Sequence, residues 1–454
     1  MSYYRPLHLG GLISSILLIS LLLGACSEKT AGLEMREGVA AYFPEGEGKY
    51  NVLVVSFDAL RSDSLGTYGY SRPTSPNIDA FASRALVFEN AYSSAQSTPT
   101  SFASAWTGKL PFRVFRGWNL NDTDTLAANF SAAGYKTVGY TDNQQLMTER
   151  GFAVGFDDYL LLESGDDEEL MELSLRWLED NHKQQFFGWF HFLSPHTPYE
   201  YREMATQFYQ ADYEGRFEKT TNGKFEIHNE EELKRVRDLY DGEVYYADSL
   251  FQQLMQQLQR LGIDKNTIVV LTSDHGEEFM DHGGIQHDTV YEEVIRIPMI
   301  IYHPAMIKAG RTDLPYSNVD LFKTLLSLVG IPTEKITDGV NLLKPVPVQR
   351  PVIITAMTSK DKRQFGMIVE NHKYHLDCRP EFAERLYDLE TDAGEKNDIS
   401  LDHPEVLAHL FTTLELIAGG DPCEVMQAAV AGKNVASDLS EEQLERLKSL
   451  GYIQ

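Results

Sequence analysis

The chain predicts an α/β fold built on a mostly parallel, doubly wound central sheet, with a smaller domain appended. Three observations carry this. Three short apolar runs, Asn51 to Phe57, Phe186 to Phe192 and Thr267 to Leu271, have the length and branched composition of strands buried on both faces. The first and third runs give way to acidic residues, Asp58 and the pair Asp274-His275, at the strand end where open α/β sheets place their ligands. Between the second and third runs, Glu231 to Leu261 repeats apolar residues at helical spacing, with Leu239, Val244, Tyr245, Leu250 and Leu254 on or near one face. A length of 454 residues without an internal repeat is enough for one large domain and an appendage.

In chain order, Met1 to Ala25 carries one charge, Arg5, and an apolar run from Leu12 to Leu23 that reads as an export signal, not as a spanning helix. Its ending, Leu23-Gly24-Ala25-Cys26, resembles the lipobox of bacterial lipoproteins. That resemblance implies a lipid on Cys26, anchorage to the bacterial cell envelope and, with Ser27 following, the outer membrane facing the periplasm. Residues 26–48 are polar and rich in Gly and Glu, and read as a tether. A net charge of −27 argues against nucleic acid or an anionic lipid surface as partner.

The catalytic part is expected over 49–335. Asp58 ends the first strand, and Arg61 with Asp63 reads as an ion pair at a helix start. In Ala95 to Gly108, Pro99 pre-sets a helical turn, so Thr98 is expected as the N-cap, its hydroxyl near unpaired backbone N–H groups that favour an anion. After Phe186 to Phe192, two prolines hold His196 in an irregular loop, while His191 reads as a core histidine. A carboxylate and an imidazole at a buried strand end are costly, and a divalent metal would repay the placement of Asp274 and His275. Glu277, Glu278, Asp281, His282, His287 and Asp288 crowd the next thirteen positions.

These segments carry a resemblance. The runs SDHGEEF, DHGG and YEEVIRIPMII, the opening DALRSDSLGTYGYSRPTSPNIDAFASRALVFENAYS, GFDDYL, the Pro195-His196-Thr197-Pro198 step, and YSNVDLFKTLLSLVGIP, DGVNLL and LYDLETDAGEKNDIS toward the end are similar to the sulfatase family of the alkaline phosphatase superfamily. The resemblance implies a doubly wound sandwich with a mixed, mostly parallel sheet and a small C-terminal α+β subdomain over 336–435; beyond it, a capping box at Ser440 and Gln443 marks 436–454 as a closing amphipathic helix. It implies one metal ion held by Asp58, Thr98, Asp274 and His275, with His196 and His287 on the substrate anion or leaving group and Asn143 as a further polar contact.

The chain also departs from that family's pattern. Sulfatases convert a Cys or Ser in a Cys/Ser-x-Pro-x-Arg motif to formylglycine. This chain has no Cys there and lacks the Arg, so no formylglycine is expected. Counting from the proline makes Ser97 the nucleophile, while counting back from Thr107-Gly108 makes it Thr98; both stay open, with Thr98 preferred. Ala59 replaces a second Asp, and Tyr245 stands where two-metal relatives carry a His after Asp241, so a second metal is not expected. His275 in place of Asn shifts the expectation from Ca toward Mn or Zn and toward phosphorus chemistry. Glu277, Glu278, Glu292 and Glu293 read as helix caps, and His282 as a residue behind the site.

The function this implies is metal-dependent hydrolysis of a sulfate or phosphate ester, phosphate mono- or diester favoured, on a small, glycan-linked or lipid-linked anionic substrate. The alternatives are a phosphoethanolamine or phosphoglycerol transferase and a binding lipoprotein with a decayed site. Cys378 and Cys423 either pair, closing a loop of about 45 residues, or stay as buried thiols.

Overall fold

The computed structural model describes residues 34–43, 49–162, 164–209, 216–217, 226–357 and 362–432. The signal, Cys26 and the closing helix over 436–454 lie outside these residues. An eight-stranded sheet runs through the chain: β1 (Asn51–Phe57), β2 (Leu86–Phe88), β3 (Lys136–Thr141), β4 (Asp158–Leu161), β5 (Phe186–Phe192), β6 (Thr267–Ser273), β7 (Met299–Tyr302) and β8 (Gly310–Thr312). Their order is β8-β2-β7-β6-β1-β5-β3-β4, and only β7 runs antiparallel to its neighbours. The expected mixed, mostly parallel sheet is therefore present.

The two-residue alternation of β1 shows why both faces need helices. Val52 and Val54 join one core and Leu53, Val55 and Phe57 the other. On the first face lie α2 (Thr98–Thr107), α3 (Leu126–Ala132) and α6 (Asp320–Leu328), whose Phe102, Trp106, Phe130, Phe322 and Leu325 share that core. On the second face lie α1 (Pro76–Ala82), α4 (Asp167–Asn181) and α5 (Glu230–Arg260), with Phe81, Trp177, Leu239, Val244 and Leu250 inward. Asn229 opens α5 by accepting a hydrogen bond from the Glu232 N–H at 2.9 Å, which fixes where the long periodic stretch begins.

The smaller part is an antiparallel meander, β9 (Val352–Met357), β10 (Arg363–Val369), β11 (His372–Arg379) and β12 (Ala383–Asp388), covered by α7 (Pro404–Ala418) and α8 (Pro422–Val430). Cys378 and Cys423 are bridged, tying the end of β11 to α8 with Cα atoms 5.3 Å apart.

One boundary needs correcting. The tether expected over 26–48 ends earlier, because Met35–Arg36 pairs with Val346–Pro347, the Val39 N–H donates to the Leu342 carbonyl at 2.8 Å and Val39 is buried. Composition hid this: one small strand and one buried valine suffice to dock a Gly/Glu-rich segment.

Candidate active site

Register builds the site. Ser273 is paired with Phe57 across β6 and β1, Phe57 with Phe192 across β1 and β5, and Thr141 with His191 across β3 and β5. Four adjacent strands thus end at one level, and Asp58, Asp274-His275, the loop carrying His196 and Asn143 all emerge there. Ala59 takes a left-handed backbone, φ 58°, and turns its N–H onto Asp274 Oδ1 at 3.2 Å.

Asp58, Asp274 and His275 are fully buried, and one ligand atom from each lies within 4.8 Å of the others. His275 Nε2 stands 3.5 Å from Asp58 Oδ1 and 3.4 Å from Asp274 Oδ2. Both of those carboxylate oxygens lack a hydrogen-bond partner. Burial pushes the His275 imidazole below its ordinary value despite the two carboxylates, so the ring is neutral at pH 7. Its Nδ1 is 3.0 Å from the Gly276 carbonyl, which can only accept, so Nδ1 carries the proton and Nε2 presents a lone pair. Two orphaned carboxylate oxygens and an imidazole lone pair meeting at one fully buried point are the donor set of a divalent cation, and the residues fit one.

The reading of Thr98 as N-cap is corrected: Ser97 is the N-cap and Thr98 the first helical residue. The shift places the Thr98 hydroxyl, not that of Ser97, toward the cluster. Thr98 Oγ1 lies 3.4 Å from Asp58 Oδ2 and 3.4 Å from His275 Nε2, whereas Ser97 Oγ bonds Thr100 Oγ1 at 2.7 Å. Asn143, expected as a substrate contact, donates to Asp58 Oδ2 at 2.5 Å and to Thr98 Oγ1 at 3.2 Å, which puts it among these groups.

Two imidazoles roof the cluster. His287 packs on His275 with ring centroids 4.1 Å apart, and His196 lies 5.3 Å from His287 and 6.4 Å from His275. His196 Nδ1 donates to the Thr197 carbonyl at 2.7 Å, leaving Nε2 free for a ligand. The loop that holds it has cis peptides at Ser194-Pro195 and Thr197-Pro198.

The reading of Glu277 as a helix cap is also corrected. It is wholly buried, accepts from Tyr199 at 2.7 Å through Oε2 and holds His287 Nδ1 at 3.0 Å through Oε1. Burial works against the His287 cation, but Glu277 outweighs it and lifts the imidazole to about 9. Conversely, burial would raise the Glu277 carboxyl, and His287 pulls it below its usual range. His287 is therefore a protonated imidazole held by a buried carboxylate.

His191 is in the core, as read, yet it also serves the site. Its Nδ1 meets Ser56 Oγ at 3.0 Å and its Nε2 stands 3.5 Å from Asp58 Oδ2. Burial alone would raise the Asp58 carboxyl; His196, His191 and His275 outweigh it and hold it well below the carboxylate range. Glu278 and Glu292 are likewise not simple caps. Glu278 accepts from Thr289 at 2.9 Å and from the Gly284 N–H at 3.0 Å, and Glu292 pairs with Lys373 at 3.0 Å. Glu293 bonds His282 Nδ1 at 2.6 Å. Arg61 and Asp63 do pair, at 2.6 Å, and Arg61 also reaches Asp281 at 2.9 Å. Asp241 is held by Tyr70 at 2.9 Å and by Arg72, away from the metal-ligand cluster.

A family model described as sulfatase matches residues 50–331, more than half of the chain. An arylsulfatase of Clostridium perfringens is 24% identical over 375 residues, 65% of this chain and 78% of the relative. An ulvan-active sulfatase of Formosa agariphila is 28% identical over 367 residues, 71% of this chain and 68% of the relative. The solved structure of a phosphonate monoester hydrolase of Agrobacterium radiobacter superposes with a TM-score of 0.69 at 20% identity, covering 81% of this chain and 95% of that one.

Proposed function

The chain belongs to the sulfatase family of ester hydrolases, and from that premise we propose that it cleaves phosphate esters through a covalent intermediate on Thr98, held at a single divalent metal ion. One observation supports the reading: the Thr98 hydroxyl, in a stretch that holds no Cys, lies 3.4 Å from both Asp58 Oδ2 and His275 Nε2. Asp58, Asp274, His275 and Thr98 would hold the metal, with Mn or Zn favoured over Ca by the imidazole. When bound, the ion lowers the cost of deprotonating the Thr98 hydroxyl and neutralises charge on the transferred group.

The chain's own residues do the rest. Asp58 and Asn143 orient Thr98 Oγ1, which loses its proton to solvent and forms a bond to phosphorus as the bond from phosphorus to the leaving oxygen breaks. His287 gives that oxygen its proton, and Glu277 keeps the imidazole charged and turned toward the site. With its Nδ1 proton committed to the Thr197 carbonyl, His196 holds an anionic oxygen of the ester as an imidazolium, through a second proton on Nε2. Water then attacks phosphorus and gives a proton to the His287 imidazole left neutral by the first step, while the bond to Thr98 Oγ1 breaks and that oxygen takes a proton from solvent, restoring the hydroxyl.

The protein acts at the bacterial envelope, tethered through lipidated Cys26, as the lipobox resemblance implies. The test is a panel of phosphate mono- and diesters and sulfate esters assayed with Mn, Zn and Ca. Turnover of phosphate esters that Thr98→Ala removes and Ser97→Ala spares is the expected result. Sulfate turnover surviving both substitutions overturns the mechanism. Net transfer to an added glycan or alcohol in place of water would assign a transferase.

A further inference from the structure

The catalytic loop is pinned from behind by charges that no step of the proposed reaction uses. Residues 276–291 contain no helix and no strand, yet they deliver Glu277 and His287. The loop folds back on the helical turn Glu292–Ile295, with the Gly276 N–H donating to the Val294 carbonyl at 2.7 Å and the Glu277 N–H to the Glu293 carbonyl at 3.2 Å. A side chain at Gly276 would put its Cβ 2.2 Å from the Glu293 carbonyl oxygen, so the approach requires glycine.

That helical turn is gripped by the C-terminal meander. Glu395 Oε2 accepts the Glu292 N–H at 2.7 Å, while Lys373 on β11 lies 3.0 Å from both the Glu292 and Glu395 carboxylates. His375, two residues along the same strand, bonds Glu395 Oε1 at 2.8 Å. His282 stacks on Tyr291 with centroids 3.5 Å apart and planes 2° off parallel, bonds Glu293 at 2.6 Å through Nδ1 and reaches the Glu395 carbonyl at 3.1 Å through Nε2. The loop is therefore tied at 276–277, at 282 and at 291–293, and His287 sits between the last two ties.

Lys373 and His375 are wholly buried, and Glu395 is 2% exposed. Buried ion groups of this kind are poor stabilisers, since apolar residues of the same volume are often as good or better, while fixed geometry is what such networks supply. We propose that Lys373, His375 and Glu395 are positioning residues, through which the C-terminal domain sets the 276–291 loop so that His287 and Glu277 face Thr98. The proposal rests on the roles given above to His287 and Glu277. It assigns the C-terminal meander a part in turnover although none of its residues is expected to touch substrate.

The test compares Lys373→Met and His282→Phe with wild type, the latter keeping the ring stack and losing both hydrogen bonds. Hydrogen exchange of peptides spanning 276–291 should rise at least about tenfold in both variants while β1 and β6 keep their protection. Metal stoichiometry should stay at one. On the best ester, kcat should fall by roughly ten- to a hundredfold, the size of a small misplacement of catalytic groups, with KM within about twofold. Lys373→Arg should recover part of the loss. Unchanged exchange in the loop, or wild-type kcat in a folded variant with a loosened loop, overturns the proposal. If Lys373→Met does not fold, His282→Phe decides alone. Absence of ester turnover in the wild type would instead defeat the functional reading, leaving the exchange result to judge the positioning.

Discussion

At the scale of single residues, the proposed mechanism separates groups that touch the ester from groups that aim them. Thr98→Ala should lower kcat/KM at least about a thousandfold on the best ester, while Ser97→Ala, whose hydroxyl bonds only within its own helix turn, should cost less than about fivefold. Glu277→Gln keeps the shape but removes the charge that holds the His287 proton, and kcat should drop by about a hundredfold. His191→Phe keeps the core filled while breaking the Ser56–His191–Asp58 chain; competition with a chelator should show metal affinity ten- to about a hundredfold weaker. Asp58, Asp274 and His275 were legible in the sequence, because a charged or imidazole side chain at the end of a buried strand is costly unless it binds something. Glu277, His191 and Tyr199 were not. Each meets its partner through the fold alone, and a Glu two residues past a candidate metal ligand has the same local signature as a cap.

At the scale of elements, β1, β5 and α5 fell where apolar runs and helical spacing put them, since burial on both faces leaves strong composition signals. β6 ran two residues beyond the apolar stretch, to Ser273, because its polar end still pairs with β1. The cluster between the catalytic loop and β11 had no such signal, its members being scattered from Glu292 to Glu395. It carries a pH prediction. Burial would raise the Glu395 carboxyl, but Lys373 and His375 override it and hold it at about 2. A depressed carboxyl stabilises the fold above its ordinary range, and that contribution is lost as pH falls through about 2. Lys373→Met reverses the sign. Two buried carboxylates then face each other, one takes up a proton, and the fold weakens as pH rises past the carboxylate range. The Tm gap between wild type and this variant should widen from pH 4.5 to 7.5, toward a loss of about 3–5 kcal/mol. The bridge from β11 to α8 makes a separate claim. Closing 45 residues is worth about 4 kcal/mol in the chain-entropy view, so replacing Cys378 and Cys423 by Ser should lower Tm by several degrees without changing kcat.

At the scale of the whole molecule, a charge of −27 must repel the anion that the site is built to receive. The cationic groups that oppose this are local, His287 among them. For an anionic ester, kcat/KM should therefore rise as ionic strength goes from roughly 10 to 150 mM and the screening length shrinks from about 30 to 8 Å. A fall with salt would show that the local field governs capture. The order of the central sheet bears on how the protein is made. β1 leaves the ribosome early, yet its two neighbours are β5 and β6, and Asp274 and His275, which meet Asp58, arrive more than two hundred residues later. No nascent or truncated chain ending before His275, about three fifths of the way along, can bring Asp58, Asp274 and His275 together, so the cell that synthesises this hydrolase meets no assembled centre before that point.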